Sequence, residues 1–302
     1  MNGTVIARWS SSTVGIRKPE QIVAMIREGV GVLLQQTSIP YSTLRAIAAG
    51  VPGITNFDTG VVIATSYLLG WRDVPLRDLL ESTFAIPAAV DNDVNLAALG
   101  ESWAGIAANV DDFVFVAIGT GLGAGIFLHG RPLRGMGWTA GEIGYMLLPG
   151  TPEQPAERGK PGALEGLIGG EGIQAQWGAL WSESSTSLPR NLTATQIFDH
   201  ALTGDALAAT ILTQSAHALA SAIYNISLIL NCRLFVLGGG VGTHPALRES
   251  TLGFLEVWGT RVQPELLPSS LGTDAQLLGA VRLALDAVEI STRSQAPLAA
   301  QG

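Results

Sequence analysis

The stretch from Ala89 to Glu101 constrains the fold most, because an apolar segment ends there and a helix begins within a few residues. Asp91 or Asn92 is a natural helix cap, and the small and apolar residues after it predict a tightly packed helix. Asn92 and Asp93 would then lie at the helix N-terminus and face a cleft. An ionised Asp is favourable beside the helix dipole and could accept a proton from a substrate hydroxyl. The alternative is that these residues only cap the helix.

A glycine-rich segment comes next, in which two apolar runs flank the sequence Gly-Thr-Gly-Leu-Gly-Ala-Gly at residues 119–125. The two runs predict strands joined by a glycine turn. Such a turn leaves backbone N–H groups and a threonine hydroxyl open to an anion, because no Cβ atoms stand in the way. The dinucleotide-binding pattern is excluded, since a strand rather than a helix follows the glycines. A merely tight turn remains the alternative.

Together with the residues C-terminal to them, these two segments resemble the ROK family of sugar kinases and sugar-responsive repressors, which belongs to the actin-like ATPase group. The family typically has Glu-Asn-Asp-Ala-Asn-x-Ala-Ala-Leu-Gly-Glu where this chain has residues 91–101. Its Gly-Thr-Gly-x-Gly-x-Gly hairpin is matched at residues 119–125, and its Leu-Arg-Gly…Ala-Gly-Glu-Ile-Gly-His pattern at residues 133–144. The match extends from about residue 3 to residue 287. The combined pattern is specific, although no single piece of it is.

The resemblance implies an α/β, two-lobed actin-like ATPase (ribonuclease H-like) fold. The N-terminal lobe would span residues 1–108 and the C-terminal lobe residues 109–302, with 286–302 partly a loose tail. A chain of 302 residues with 47% hydrophobic residues can bury the cores of two such lobes. The N-terminal lobe would lack its first strand, because family kinases begin with an Asp-x-Gly-Gly-Thr turn of which only Asn2-Gly3-Thr4 is left. Either the chain is a fragment, or its start was assigned too late, or the nucleotide site is incomplete.

The hydrophobic periodicity predicts alternating strands and helices, as an α/β lobe requires. In the first lobe, the predicted elements are an edge strand at 4–9, a helix from Pro19, strands at 44–50 and 61–64, a helix at 76–84 and a strand at 87–90. In the second lobe, besides the hairpin, they are helices at 194–201 and 207–230, a strand at 233–237 that enters a glycine turn, and a closing helix at 277–287. His244, just after that turn, is expected to be solvated.

The resemblance also implies roles for individual residues. Asp93 would be the general base. The residues implied to bind the sugar are Gly53, Asn92, Asp93, Glu142, Tyr145 and Glu165. Those implied to bind the nucleotide are Gly119, Thr120, Gly121, Gly239 and Gly240, and the implied cofactors are ATP and Mg²⁺. From the residues alone, Glu142 could be a surface charge in a loop.

Two departures from the family pattern concern zinc. Tyr145 stands where the family has a His that ligates zinc, and a phenol can hydrogen-bond a hydroxyl but is a poor zinc ligand. The family's cysteine-rich zinc loop is replaced by Glu-Arg-Gly-Lys-Pro-Gly-Ala-Leu-Glu at residues 157–165, in which the glycines and Glu165 persist. Without the thiolates and the His, we expect no structural zinc and no protein ligands to a metal.

Composition limits the possible partners. A net charge of −8 and a pI near 5.0 argue against binding of nucleic acid or an anionic membrane by this chain alone. The single cysteine, Cys232, excludes an internal disulfide and is expected to be a small buried hydrophobe. Polar residues interrupt the apolar segment 207–230, which therefore predicts a core helix rather than a membrane span. With no secretory signal, we expect a cytoplasmic protein, and a homodimer as is common in the family.

The function implied by the resemblance is ATP-dependent phosphorylation of a hexose or N-acylhexosamine hydroxyl, as in a glucokinase. One alternative is the sugar-sensing effector domain of a ROK transcriptional regulator, which needs a sugar pocket without turnover. Against it stand the acidic balance, the lack of a helix-turn-helix pattern and the presence of Asp93, since a sensor needs no base. A degenerate, non-catalytic kinase homologue is the other alternative. The sequence leaves the sugar itself open.

Overall fold

The computed structural model describes residues 5–65, 68, 70–151, 161–259 and 261–295. Residues 293–295 are described by their backbone only. The strands are Ile47–Val51 (β1), Ile54–Asn56 (β2), Val61–Ala64 (β3), Arg72–Pro75 (β4), Ala88–Asn92 (β5), Phe113–Ile118 (β6), Leu122–Leu128 (β7), Arg131–Leu133 (β8), Leu234–Gly238 (β9) and Glu265–Pro268 (β10). The α-helices are Pro19–Thr37 (α1), Leu76–Phe84 (α2), Asp93–Ala104 (α3), Glu165–Ile168 (α4), Gly170–Leu180 (α5), Ala194–Leu202 (α6), Ala206–Leu230 (α7), Gly239–Gly242 (α8), Pro245–Trp258 (α9) and Ala275–Gln295 (α10). Short 3₁₀ helices lie at Tyr41–Thr43, Ile143–Tyr145 and Gly272–Asp274.

A two-stranded parallel sheet carries the first part of the chain. β1 and β5 pair in register from Ile47 opposite Ala88 to Val51 opposite Asn92. A small antiparallel sheet, β2-β3-β4, lies between them in sequence. Within the described ranges no strand pairs with the other edge of β1. The C-terminal end of β5 delivers the chain to the start of α3.

The third and largest sheet has five strands in the order β10-β9-β6-β7-β8. β6 and β7 form the predicted glycine-turn hairpin, and β9 and β10 add to β6 in parallel. The rings of Phe113 and Phe127 stack across the hairpin, with centroids 4.9 Å apart. Several of the largest side chains of the protein are fully buried in the core beside this sheet, among them Trp177, Phe198 and Phe235.

The long helix α7 belongs to this core. By length and composition it could cross a membrane, but 56% of its most apolar window is buried inside the protein, as in the core helix of a globular fold. Cys232, two residues after α7, is 1% exposed, so the expected buried thiol is confirmed. Burial raises the pKa of that thiol to about 11.

Helices α3 and α10 connect the β1–β5 sheet to the five-stranded sheet, and the two helices pack backbone against backbone. A Cβ atom at Gly279 would lie 1.8 Å from the carbonyl oxygen of Leu96, and one at Gly100 would lie 2.1 Å from that of Ala275. Only glycine permits such an approach. Leu283 of α10 packs with Leu96 of α3 and Ala89 of β5.

Two expectations for the N-terminal region are wrong. Residues 5–9 form no strand, because side chains hold this segment in place of a backbone ladder: the Trp9 ring lies against Gly29 of α1, and Arg8 pairs with Asp274 at 2.6 Å. The strand expected from residue 44 begins at Ile47, because a 3₁₀ turn, Tyr41–Thr43, occupies the preceding residues.

Two expectations for the C-terminal region also need correction. The closing helix α10 runs to Gln295, so the loose tail does not include residues 286–295, and residues 296–302 lie outside the described part of the chain. His244 is not a solvated turn residue. It is buried, caps α9 by accepting from the Ala246 amide at 3.3 Å, and faces Asp199 at 3.2 Å. The glycine turn before it is helical, as α8.

We predict that Gly279→Ala destabilises the protein by about 1–3 kcal/mol, because the new methyl group forces α3 and α10 apart. The measurement is urea unfolding followed by circular dichroism. Gly253→Ala is the matched control: it is also a mid-helix glycine, but a Cβ there meets nothing within 4 Å. We expect the control to stabilise by about 0.5–1 kcal/mol. Equal effects at both positions would contradict close packing at the crossing.

Candidate active site

The site is built around the junction of β5 and α3. Asn92 is the last residue of the strand and the N-cap of the helix: its Oδ1 accepts from the amides of Val94 at 2.8 Å and Asn95 at 3.1 Å. Its Nδ2 donates to the carbonyl oxygen of Gly53 at 2.9 Å. One amide hydrogen of Asn92 therefore remains for a ligand. Gly53 has φ 104° and lies against the backbone of β3, so only glycine fits there without strain.

Asp93 is the first residue of α3, and its Oδ1 accepts from the Val94 amide at 3.0 Å. Burial raises the pKa of its carboxyl group, against the lowering effect of the backbone hydrogen bonds at the helix N-terminus. A general base works best when its pKa approaches the working pH, so the direction of this shift is the one that such a role requires.

Glu142 and Glu165 lie on two segments that pack together. Glu142 precedes the 3₁₀ helix Ile143–Tyr145, and Glu165 begins α4. The amide of Leu164 donates to the carbonyl oxygen of Gly144 at 3.0 Å, and a Cβ at Gly144 would lie 3.4 Å from a carboxylate oxygen of Glu165. That carboxylate also accepts from the Gly162 amide at 3.1 Å.

Asp93, Glu142 and Glu165, which we call the acidic cluster, lie close enough together for their charges to interact. The pKa of Glu142 is raised by burial first and then by the negative charges of Glu165 and Asp93. The pKa of the Tyr145 phenol is raised by partial burial and by Glu142 and Glu165. Tyr145 is 41% exposed, which places it at the rim of the acidic cluster. Such a cluster accepts hydrogen bonds from hydroxyl groups and repels free anions.

The glycine elements expected to bind a nucleotide also come together. A Cβ at Gly239, where φ is 78°, would lie 2.3 Å from the carbonyl oxygen of Ile118 and 2.9 Å from the amide nitrogen of Gly119. The start of α8 therefore lies against the hairpin turn. Cβ atoms at Gly119 and Gly240 would meet nothing within 4 Å, so both face open space.

Helix α5 orients the hairpin turn. The carbonyl oxygens of Gly119 and Thr120 accept from the amides of Gly170 at 2.9 Å and Glu171 at 3.1 Å. Because C=O and N–H point in opposite directions across a trans peptide, the amides of Thr120 and Gly121 point away from α5. The turn thus presents two N–H groups on its free side, as an anion-binding turn does.

The acidic cluster and the glycine turn of the β6–β7 hairpin are neighbours. A Cβ atom at Gly123, two residues after the turn, would lie 3.2 Å from the side chain of Val94, the residue directly after Asp93. On the other side, α4 carries Glu165 and leads through Gly169 into α5, which braces the turn. The hairpin turn therefore lies beside the segments that carry Asp93 and Glu165.

The sequence interpretation missed the partner of Asp91. Asp91 is 1% exposed, and both Nε and a terminal nitrogen of Arg134 donate to its Oδ2, at 3.0 Å and 2.6 Å. The sequence alone predicted no role for Arg134. Its place in the Leu-Arg-Gly part of the matched pattern was the available signal.

The residues present fit a nucleotide better than a protein-bound metal. In the part of the chain that the structure describes, no group of three His, Cys, Asp or Glu residues could hold a metal ion. The open glycines and outward amides suit phosphate groups and a ribose or base.

Comparison with known proteins decides the family. The ROK family sequence model matches residues 9–287. The chain belongs to the ROK family. A glucokinase of Halalkalibacterium halodurans is 34% identical over 79% of this chain and 74% of its own length. A xylose repressor of Caldicellulosiruptor bescii is 40% identical over 33% of this chain and 25% of its own.

A solved structure shares the fold of this ROK protein. The ROK family glucokinase from Streptomyces griseus, in complex with glucose and AMPPNP, superposes with a TM-score of 0.76 at 23% identity. The superposition covers 94% of this chain and 93% of that one. The expected actin-like ATPase fold is thereby confirmed.

We predict that Glu142→Gln raises the melting temperature at pH 8, because it removes a buried charge that Glu165 and Asp93 repel. Folding raises the pKa of Glu142 above its ordinary value of 4.5, so the contribution of Glu142 to stability should fall as the pH rises above that value. The melting temperatures of the native protein and of Glu142→Gln are measured by thermal unfolding from pH 4 to pH 8. The gain should vanish near pH 4, where the carboxyl group is protonated in both states.

The control is Glu256→Gln, at an exposed position near the end of α9. It should leave the melting temperature almost unchanged. A gain for Glu142→Gln that is the same at all pH values would contradict electrostatic strain in the acidic cluster.

Proposed function

We propose that this ROK protein transfers the terminal phosphoryl group of ATP to a hydroxyl group of a hexose or N-acylhexosamine, as a glucokinase does. The observation that carries the proposal is the convergence of Asp93, Glu142 and Glu165 beside the glycine turn of the β6–β7 hairpin. A base, hydroxyl acceptors and an anion-binding turn are the groups that this reaction needs in one place.

Asp93 is the proposed general base. It would accept the proton of the sugar hydroxyl as that oxygen attacks phosphorus, while the bond from phosphorus to the ADP oxygen breaks. The raised pKa of Asp93 strengthens it as a base. Because the ionised form is required, the same shift moves the acidic limb of the pH–rate profile to higher pH.

The remaining groups would orient the sugar. Glu142 and Glu165 accept hydrogen bonds from hydroxyl groups, Tyr145 can donate or accept at the rim, and Asn92 has one amide hydrogen to donate. The Gly53 carbonyl fixes the Asn92 side chain. Several such contacts hold the nucleophile in line for attack, which lowers the entropic cost of reaching the transition state.

The glycine elements would hold the nucleotide. The amides of Thr120 and Gly121 would contact the terminal phosphates, and Gly239 and Gly240 would lie beside the adenosine. Mg²⁺ usually arrives bound to substrate phosphates, and there it would neutralise their charge. Two lobes, divided near residue 108, would close over the sugar and exclude water.

The test is ADP release with glucose, N-acetylglucosamine, N-acetylmannosamine and fructose, in the presence of MgATP. We predict sugar-dependent release that falls by about 10²–10⁴-fold in Asp93→Asn, the usual contribution of a general base. The matched control is Asp78→Asn, which changes an exposed acidic residue in the first turn of α2 and should leave turnover unaffected. Turnover that survives Asp93→Asn would refute the assignment of the base.

The alternative is a sugar-sensing domain of a regulator, favoured by the 40% identity to a xylose repressor. That likeness covers only 25% of the repressor, whereas the glucokinase is covered over 74% of its length. A thermal shift with sugar but no ADP release, in the native protein as in Asp93→Asn, would support the sensor. It would equally support a non-catalytic kinase homologue.

We further propose that the protein is a cytoplasmic homodimer that binds sugar and ATP and has no nucleic-acid or membrane partner. The acidic composition and the ROK family membership support this proposal. Light scattering after size exclusion should give twice the 31.5 kDa of the single chain. A mass of one chain would contradict it.

A further inference from the structure

We propose that Arg134 is a positioning residue of this site, which holds Asp93 and Glu142 in a fixed relation to one another. The inference rests on the proposed kinase function. It assigns to Arg134 and to its partner Asp91 an effect on the reaction without contact with the sugar.

On the Asp93 side of the site, the side chain of Arg134 binds Asp91 and packs on Phe57. Its two hydrogen bonds hold Oδ2 of the buried Asp91, and its guanidinium group lies 3.6 Å above the ring of Phe57, in the loop after β2. The ion pair and the stacked ring leave the guanidinium little freedom, since both its edge and its face are engaged.

Asp91 passes this constraint on to the junction of β5 and α3. Its second oxygen, Oδ1, accepts from the amide of Asn92 at 2.8 Å and from Nδ2 of Asn95 at 3.3 Å. These two residues flank Asp93 in sequence. Asp91 therefore ties down the backbone before Asp93 and the helix turn after it.

The backbone of Arg134 controls the Glu142 side. Its carbonyl oxygen accepts from the amide of Ala140 at 3.2 Å, which closes the loop between them. The next residue, Gly141, is clamped on β7: its carbonyl oxygen accepts from the Ala124 amide at 2.8 Å, and a Cβ there would lie 1.9 Å from the Ala124 carbonyl oxygen. Glu142 follows directly. One residue thus links the base to a sugar-binding carboxylate.

Stability alone is a weak reason for such a pair, because the desolvation of two buried charges offsets much of their attraction. If the ion pair had only a structural role, its removal would change the free energy of unfolding but not the rate of the reaction. A positioning pair must change turnover and sugar affinity, because small displacements of a base or of an orienting group slow the reaction strongly.

The experiment compares Arg134→Met, Asp91→Asn and the double variant with the native protein, by steady-state kinetics, calorimetric sugar binding and thermal unfolding. We expect each single variant to lower kcat about 10- to 100-fold and to raise the sugar dissociation constant, while the KM for ATP changes less than twofold. The double variant should be no worse than the worse single variant, since the two residues act as one unit. Arg134→Lys should restore only part of the loss, because it keeps the charge but not the fork.

The matched control is Arg282→Met, which breaks the i,i+4 pair of Arg282 with Asp286 on α10, outside the acidic cluster and the glycine elements. Its kcat and sugar affinity should equal those of the native protein. Variants at Arg134 and Asp91 that melt at lower temperature but keep native kcat and sugar affinity would overturn the proposal. Native protein that binds sugar without releasing ADP would refute the kinase function, and the sugar dissociation constants of the same variants would still decide the role of Arg134.

Discussion

The contact between α3 and α10 is the constraint on which the rest of the structure depends. Gly100 and Gly279 remove the side chains that would separate the two helices, so that backbone meets backbone. Glu101, fully buried on α3, accepts from the hydroxyls of Ser269 and Ser270 and from two backbone amides, which anchors the same helix to the end of β10. Since α3 begins with Asp93, every contact that fixes this helix also fixes the proposed base.

The acidic cluster opposes this stability. Burial, and then the negative charges of Glu165 and Asp93, raise the pKa of Glu142, which means that ionisation of Glu142 destabilises the folded protein. A site that binds neutral polyols gains from such a cluster, because each carboxylate is a strong acceptor for hydroxyl groups. The surrounding scaffold must therefore hold groups together that would move apart if they were free. The close packing of Gly141 on β7 and the Arg134–Asp91 ion pair lie next to these carboxylates and supply that restraint.

The sequence predicted helices, strands and turns well where residues close together in the chain determine them. The hairpin of β6 and β7, the helix from Pro19 and the cap at Asn92 follow from glycine, proline and amide preferences at single positions. The failures lie where distant residues decide. Residues 5–9 have a strand-like composition, but Trp9 packs on a helix instead, and His244 has a turn-like setting but is buried beside Asp199.

The sequence by itself determined the family, the α/β character and the identity of the candidate residues, because those depend on residue types at short spacings. Only the tertiary structure decided which of them meet. It brought the Asp93, Glu142 and Glu165 carboxylates together from three separate segments, and it paired Arg134 with Asp91 across 43 residues. The physical reason is that burial and charge interactions depend on distance in space, and the spacing of residues along a chain does not encode that distance.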